Sequence, residues 1–270
     1  MDYLSAFVYG LIQGVTEFAP VSSSGHLAVL PYFMQINDPG VFFDLMMHLG
    51  TALAVMIYFR RDIFVLLAEL APALINFKSD KPSHHYVRNL LFATFVSVFF
   101  ILVLKDLAED YGRNPLFIAF NLIFFGFILY LSDSRANSDE EVSPMYKKAQ
   151  WLRAGLMGFA QSLAIFPGVS RSGITISAGR FKGLNRHHAS SFSFLLSLPI
   201  ILAGIVYKIP TYLASGNTEN VAVLFFGVLI AFIFGIITIH FFLKFISKIG
   251  LKIFFIYRLA LGLILLYFVN

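Results

Sequence analysis

The sequence contains no cysteine, which excludes disulfides, thiolate nucleophiles and cysteine-ligated metals and leaves any chemistry to oxygen and nitrogen groups. Charge is scarce too: 13% of the 270 residues are Asp, Glu, Lys or Arg, against about 25% in a soluble globular chain. No Walker A loop, dinucleotide fingerprint or HExxH helix is present, so nucleotide-driven pumping and zinc proteolysis have no support. The net charge of +5 would invite a nucleic-acid reading. In a chain that is 58% hydrophobic with a mean hydropathy of +0.78, a basic excess instead marks cytoplasmic loops, and no nucleic-acid partner is expected. The apolar start, Tyr3 to Val15, lacks the basic n-region of a signal peptide and runs into Gln13 and Glu17, so it is read as part of the mature protein.

What is abundant is apolar sequence, in runs at about 41–59, 89–104, 115–132, 189–207, 221–243 and 253–269. Each is bounded by charges or by Gly, Pro and Asn, and together they predict six membrane helices in an all-α polytopic membrane protein that has the lipid bilayer as its solvent. Residues 62–77, with Pro72, make a helix of modest length suited to the interface or to partial entry. Two further apolar stretches are interrupted: 3–30 by Gly14, Glu17, Pro20 and serines, and 153–179 by Pro167, Gly168 and Arg171. Non-helical backbone at membrane depth is tolerated only where protein or a watery cavity satisfies it, so both are read as re-entrant hairpins lining a site.

The two hairpins match each other. Val21-Ser22-Ser23-Ser24-Gly25 aligns with Val169-Ser170-Arg171-Ser172-Gly173 at an offset of 148, which also places Gly10 on Gly158 and Gln13 on Gln161. The chain is therefore read as an internal duplication: repeat 1 over about 1–132, a polar cytoplasmic linker over about 133–152, and repeat 2 over about 153–270. Three crossings per repeat make the second enter from the opposite face, the inverted-topology arrangement of transporters. Under that topology one side collects 15 of the 20 Lys and Arg residues, and the other only Lys105, Arg113 and Lys208. The crowded side is expected to be cytoplasmic and both termini outward.

Ionisable residues inside membrane segments are costly unless paired or hydrated, which singles out Glu17, His26 and Arg171. The plainest role for Glu17 and Arg171 is an ion pair locking the hairpins together. The hydroxyls suggest more. Ser22, Ser23 and Ser24 precede Gly25 and a returning helix, as Ser170 and Ser172 precede Gly173. Such serines are often only caps, but two helix starts with an arginine between them would make a polar, positive pocket suited to phosphate or diphosphate. Ser23, His26 and Glu17 are the residue types of a Ser–His–acid triad, although their spacing does not establish one. Arg258, in the last helix, is read as pairing within the bundle or snorkelling, not as catalytic.

The motifs QGVTEFAPVSSSGH at 13–26 and PGVSRSGITIS at 167–177 resemble the signatures of the bacterial undecaprenyl-diphosphate phosphatases of the BacA/UppP type. FFDLMMHLGTALAVMIYFRRD at 42–62 and FSFLLSLP at 192–199 extend the resemblance over essentially the whole chain. It implies hydrolysis of undecaprenyl diphosphate to undecaprenyl phosphate and phosphate, at a centre facing outward from the bacterial cytoplasmic membrane. That reaction recycles the lipid carrier for peptidoglycan and other envelope polymers and confers bacitracin resistance. It also implies a divalent cation, Mg2+ or Ca2+, and inverted repeats with re-entrant hairpins, often in a homodimer. By motif position it assigns catalysis to Glu17, Ser23, His26 and Arg171, with Glu17 touching the cation, and substrate binding to Gln13, Ser22, Ser24, Gly25, Ser170, Ser172 and Gly173. Some members have Glu at the position of Gln13, whose carboxamide is neither a base nor a strong metal ligand. Two nucleophiles stay open, Ser23 and a water activated by Glu17 or His26, and a lipid-carrier flippase is the alternative function.

Overall fold

The computed structural model describes residues 1–34, 39–111, 114–135, 144–148, 150–214 and 220–269. Among these it is helical throughout, with no strand. The long apolar runs become α3 (Val41–Tyr58), α6 (Pro82–Tyr111), α7 (Pro115–Arg135), α10 (Arg186–Ala214), α11 (Val221–Ile249) and α12 (Lys252–Val269). Five of them, α3, α6, α7, α10 and α11, are long and apolar enough to cross a bilayer, which makes the chain a multi-pass membrane protein. α6 outruns its apolar core at both ends, beginning at Pro82, where the first turn needs no proline N–H.

The segment at 62–77 is not one helix. It forms α4 (Arg60–Ala68) and α5 (Leu70–Ile75), which meet at Glu69. At 1.5 Å per residue neither reaches beyond about 14 Å, so this segment cannot cross a hydrocarbon core of about 30 Å. Phe64, Leu67 and Phe77 are exposed beside Arg60 and Arg61, the character of an interfacial segment. Arg88 ties it to α6, donating to the carbonyls of Ala73 (3.0 Å) and Asn76 (2.5 Å).

Each interrupted stretch folds as two short helices. The first gives α1 (Tyr3–Thr16) and α2 (Ser23–Met34), and the second α8 (Trp151–Leu163) and α9 (Arg171–Phe181). The longest, 14 residues, spans only about 21 Å. α1 packs on α11 and α3, whereas α8 packs on α6 and α9, so the first helix of each half leans on a long helix of the other half. Small residues permit this approach. A Cβ at Gly10 would lie 2.5 Å from the Gly227 carbonyl, and one at Gly158 would overlap the Ala93 carbonyl. Gly158→Ala is therefore expected to cost about 1–3 kcal/mol through overpacking, read as a lower thermal midpoint in detergent. Gly204→Ala in α10 serves as the control, since its Cβ would meet only Leu45 at 3.8 Å and the midpoint should hold.

The linker is less detached than its polarity suggests. Pro144–Tyr146 forms a 3-10 turn with Met145 fully buried, its carbonyl accepting from Asn89 (2.8 Å), while Tyr146 packs on Tyr86. Linker residues 136–143 and 149, and Arg113 of the charge count, lie outside the described residues.

Candidate active site

The site is built from the two turns that interrupt these short helix pairs. α1 ends when Glu17 caps it, its N–H donating to the Gln13 carbonyl, and Pro20 prevents continuation. The chain then passes through Ser22 at φ +75° before α2 begins at Ser23. The second turn runs to Ser170 at φ +71° before α9 begins at Arg171. These are the only non-glycine residues with positive φ among those described, and they stand 148 positions apart. Left-handed backbone costs a serine of order 1–3 kcal/mol, and each offsets part of it in the same way. Ser22 Oγ accepts from the Gly25 N–H at 3.2 Å, and Ser170 Oγ from the Gly173 N–H at 3.1 Å. Ser24 Oγ lies 3.5 Å from Ser22 Oγ, and Ser172 Oγ 3.4 Å from Ser170 Oγ.

Matched turns carry unlike side chains. The first presents Glu17 and Ser23, and the second presents Arg171 at the position corresponding to Ser23. Arg171 Nη2 pairs with Glu17 Oε1 across the gap, and Arg171 Nη1 donates to the Ser193 carbonyl of α10 at 3.2 Å. Ser172 Oγ donates to the Ala19 carbonyl at 3.3 Å, and Gly25 stands against Gly168, so the turns touch along their length. Phe18, fully buried, packs edge-on against Phe194 and fixes the carboxylate's turn to α10.

Glu17 is the hub. Its Oε2 accepts from Ser23 Oγ at 2.5 Å and from Gln13 Nε2 at 3.0 Å, and Gln13 Nε2 also reaches Thr51 Oγ1 on α3 at 3.3 Å. A buried carboxylate held by a hydroxyl, a carboxamide and a guanidinium is a compact device for accepting a proton from the hydroxyl beside a fixed positive charge.

His26 stands apart from this hub. Its Nδ1 donates to the Ser22 carbonyl at 2.7 Å, and its Nε2 meets the Tyr257 hydroxyl of α12 at 2.7 Å, the two rings being stacked. The order Ser23–His26–Glu17 is thus not formed: both ring nitrogens of His26 are engaged by the Ser22 carbonyl and Tyr257, while Ser23 meets the carboxylate directly. His48 is the histidine beside Glu17, with Nε2 3.5 Å from Oε2. Sequence reading passed over it, although an imidazole within the apolar run 41–59, which also holds Asp44, is an intramembrane ionisable group of the kind that singled out the others. Tyr257 and Thr51 gave no such signal.

Arg258 is fully buried and makes no ion pair among the described residues. It donates to the carbonyls of Leu122 (3.0 Å) and Asn121 (3.1 Å) on α7, of Gly168 (2.7 Å) and Val169 (3.0 Å) in the second turn, and of Pro20 (3.4 Å) in the first. It therefore pairs inside the bundle, with carbonyls, and does not snorkel.

The divalent cation implied by the sequence asks for hard oxygen donors. Glu17 is the one carboxylate at the hub, and Gln13 Oε1 beside it is buried without a hydrogen-bond partner. Among the described residues no group of three or more His, Asp or Glu side chains could hold a metal alone. This donor set fits an ion bound through one carboxylate and completed by water and phosphate oxygens.

The model of a family described as bacitracin resistance protein BacA matches residues 6–264. A curated relative named undecaprenyl-diphosphatase, from Geotalea daltonii (strain DSM 22248 / JCM 15807 / FRC-32), is 35% identical over 272 residues, which covers 100% of this chain and 99% of the relative. With both turns of the site falling inside the matched region, the chain belongs to the BacA family.

Proposed function

We propose that the chain hydrolyses undecaprenyl diphosphate to undecaprenyl phosphate and inorganic phosphate. The observation that carries this reading is the Ser23–Glu17–Arg171 cluster, a hydroxyl on a buried carboxylate with a guanidinium from the opposite turn. The diphosphate enters between the turns, where Arg171 exchanges part of its contact with Glu17 for phosphate oxygens. Ser23 Oγ attacks the terminal phosphorus and its proton passes to Glu17 Oε2, while undecaprenyl phosphate leaves. Water then cleaves the phosphoserine, releasing phosphate and restoring the hydroxyl. Arg171 holds charge on the transferring group throughout. A divalent cation, Mg2+ or Ca2+ on the resemblance, held by Glu17, would supply charge neutralisation on the diphosphate. Gln13 orients Glu17, and the N–H groups at the starts of α2 and α9 offer anion contacts around Ser22, Ser24, Gly25, Ser170, Ser172 and Gly173.

The surrounding architecture we read as six spans with α12 as the sixth, two re-entrant hairpins, α1–α2 and α8–α9, and an inverted repeat. Support comes from the matched backbone at Ser22 and Ser170 and from the exchanged packing of α1 and α8. The basic side faces the cytoplasm and the site opens outward from the inner membrane, where hydrolysis would renew the carrier for peptidoglycan synthesis and confer bacitracin resistance.

Purified protein in detergent should release phosphate from undecaprenyl diphosphate, and Ser23→Ala should lower the rate at least about a hundredfold. Near-normal turnover in Ser23→Ala would transfer the nucleophile's role to a water activated by Glu17. A second reading, a flippase for the lipid carrier, is favoured by broken helices meeting within a bundle. It predicts substrate binding without phosphate release.

A further inference from the structure

The Gln13 carboxamide meets Glu17 with its nitrogen, and the cause of that orientation lies on α3. Gln13 and Thr51 are both fully buried. Thr51 Oγ1 donates its single hydrogen to the His48 carbonyl at 2.9 Å, the usual backward bond of a helical threonine. Its lone pairs are then left to accept. Gln13 Nε2 supplies the donor at 3.3 Å and gives its other hydrogen to Glu17 Oε2 at 3.0 Å. Turning the carboxamide over would set its oxygen against a carboxylate and against a hydroxyl whose hydrogen is already committed, two buried contacts between acceptors.

The second repeat provides a comparison. The offset of 148 places Gln13 on Gln161, His48 on Leu196 and Thr51 on Pro199. Gln161 Nε2 donates directly to the Leu196 carbonyl at 3.2 Å and to Ser97 Oγ of α6 at 3.1 Å. Proline has no hydroxyl to interpose, whereas in the first repeat Thr51 stands between the carboxamide and the matching carbonyl. Ile165 occupies the position of Glu17, so the second carboxamide has no carboxylate there to serve. What sets the first repeat apart is a hydroxyl that takes over the carbonyl and leaves one amide hydrogen for the carboxylate.

We propose that Thr51 is a positioning residue for phosphoryl transfer: through Gln13 it keeps an amide hydrogen on Glu17 Oε2 and so holds the carboxylate oriented to take the Ser23 proton. The inference rests on the reaction under Proposed function, in which Gln13 orients Glu17, and identifies what orients Gln13.

The test uses the purified full chain in detergent, labelled with nitrogen-15 in the side chains of its four glutamines, few enough for Gln13→Met and Gln161→Met to assign both signals by magnetic resonance. Thr51→Val keeps the branched shape and removes the hydroxyl. It is expected to move the Gln13 amide signals and leave those of Gln161 in place, and Ser97→Ala is expected to do the reverse. With undecaprenyl diphosphate, Thr51→Val should lower kcat about two- to tenfold, the range of one hydrogen bond, with KM nearly unchanged. Thr51→Ser should restore kcat, and Ser97→Ala should leave it at the unmutated value. In the Gln13→Met background, Thr51→Val should have no further effect. If Thr51→Val is not monodisperse, Thr51→Ala carries the same expectations. Gln13 signals that stay in place in Thr51→Val, or an equal loss of kcat in the Gln13→Met background, overturn the positioning role and leave the phosphatase reading standing. Absence of phosphate release from the unmutated protein overturns the phosphatase reading, and the positioning role with it.

Discussion

Arg171→Ala is expected to lower phosphate release from undecaprenyl diphosphate by about three to four orders of magnitude, the range in which an arginine on a transferring phosphoryl group acts. Arg171 pairs with Glu17 at the Ser23–Glu17 hub, and it comes from the turn opposite the nucleophile. Its removal takes away the charge that the transition state needs and also frees the buried carboxylate from its ion pair. The second effect alone costs stability, since a buried carboxylate left without its partner is strongly unfavourable. The two are separated by Glu17→Gln/Arg171→Ala, in which no carboxylate is stranded: its thermal midpoint should recover while activity stays lost. Arg171→Lys keeps the charge but cannot reach both Glu17 and the Ser193 carbonyl with one ammonium, so partial activity, roughly a hundredfold down, is expected. Full activity in Arg171→Ala would remove the guanidinium from the reaction and leave the plain structural lock between the turns.

The positions of the long helices were legible because each is an uninterrupted apolar run, and lipid allows little else to such a run. The two turns were legible from a repeated motif, since VSSSG and VSRSG recur at the same offset that relates the two left-handed serines. The division of 62–77 at Glu69 was not legible, because Pro72 is the visible breaker whereas it sits harmlessly in the first turn of α5. The partners of the two histidines were also hidden. His26 is near Ser23 in sequence but points to Tyr257, and His48 reaches Glu17 from 31 residues away through the packing of α3 on α1. Sequence proximity does not by itself fix shared partners: Ser23 and His26 are one helical turn apart in α2, yet Ser23 Oγ meets Glu17 and His26 Nε2 meets Tyr257. The close approach of Ser23 to Glu17, by contrast, depends on the turn reversing direction within six residues, which Pro20 and Ser22 together enforce.

Arg258→Met is expected to cost several kcal/mol of stability and, with it, most of the activity, although Arg258 touches no group in the reaction. Two effects oppose each other. Methionine removes a buried charge that has no counter-ion among the described residues, and replacing buried charge with apolar volume is often neutral or stabilising. Against this, the guanidinium serves five carbonyls, and those of Pro20, Gly168 and Val169 lie in turns where no helical N–H is positioned to replace it. An orphaned buried acceptor costs about 1–3 kcal/mol, so three of them outweigh the relief of removing one solvated-by-carbonyl charge. Water cannot make up the difference easily, because Gly168 presses on Ile118 and Asn121 and Gly173 on Arg258 itself. The turns that Arg258 gathers are those carrying Glu17 and Arg171, so their ion pair should loosen as the fold weakens. The expected result is a thermal midpoint in detergent well below that of the unmutated protein, with phosphate release lost even at temperatures where Arg258→Met remains folded. Arg258→Lys, with three donors for five acceptors, should fall between. A midpoint unchanged in Arg258→Met would mean that the two turns hold their geometry through the Glu17–Arg171 pair and the serine caps alone.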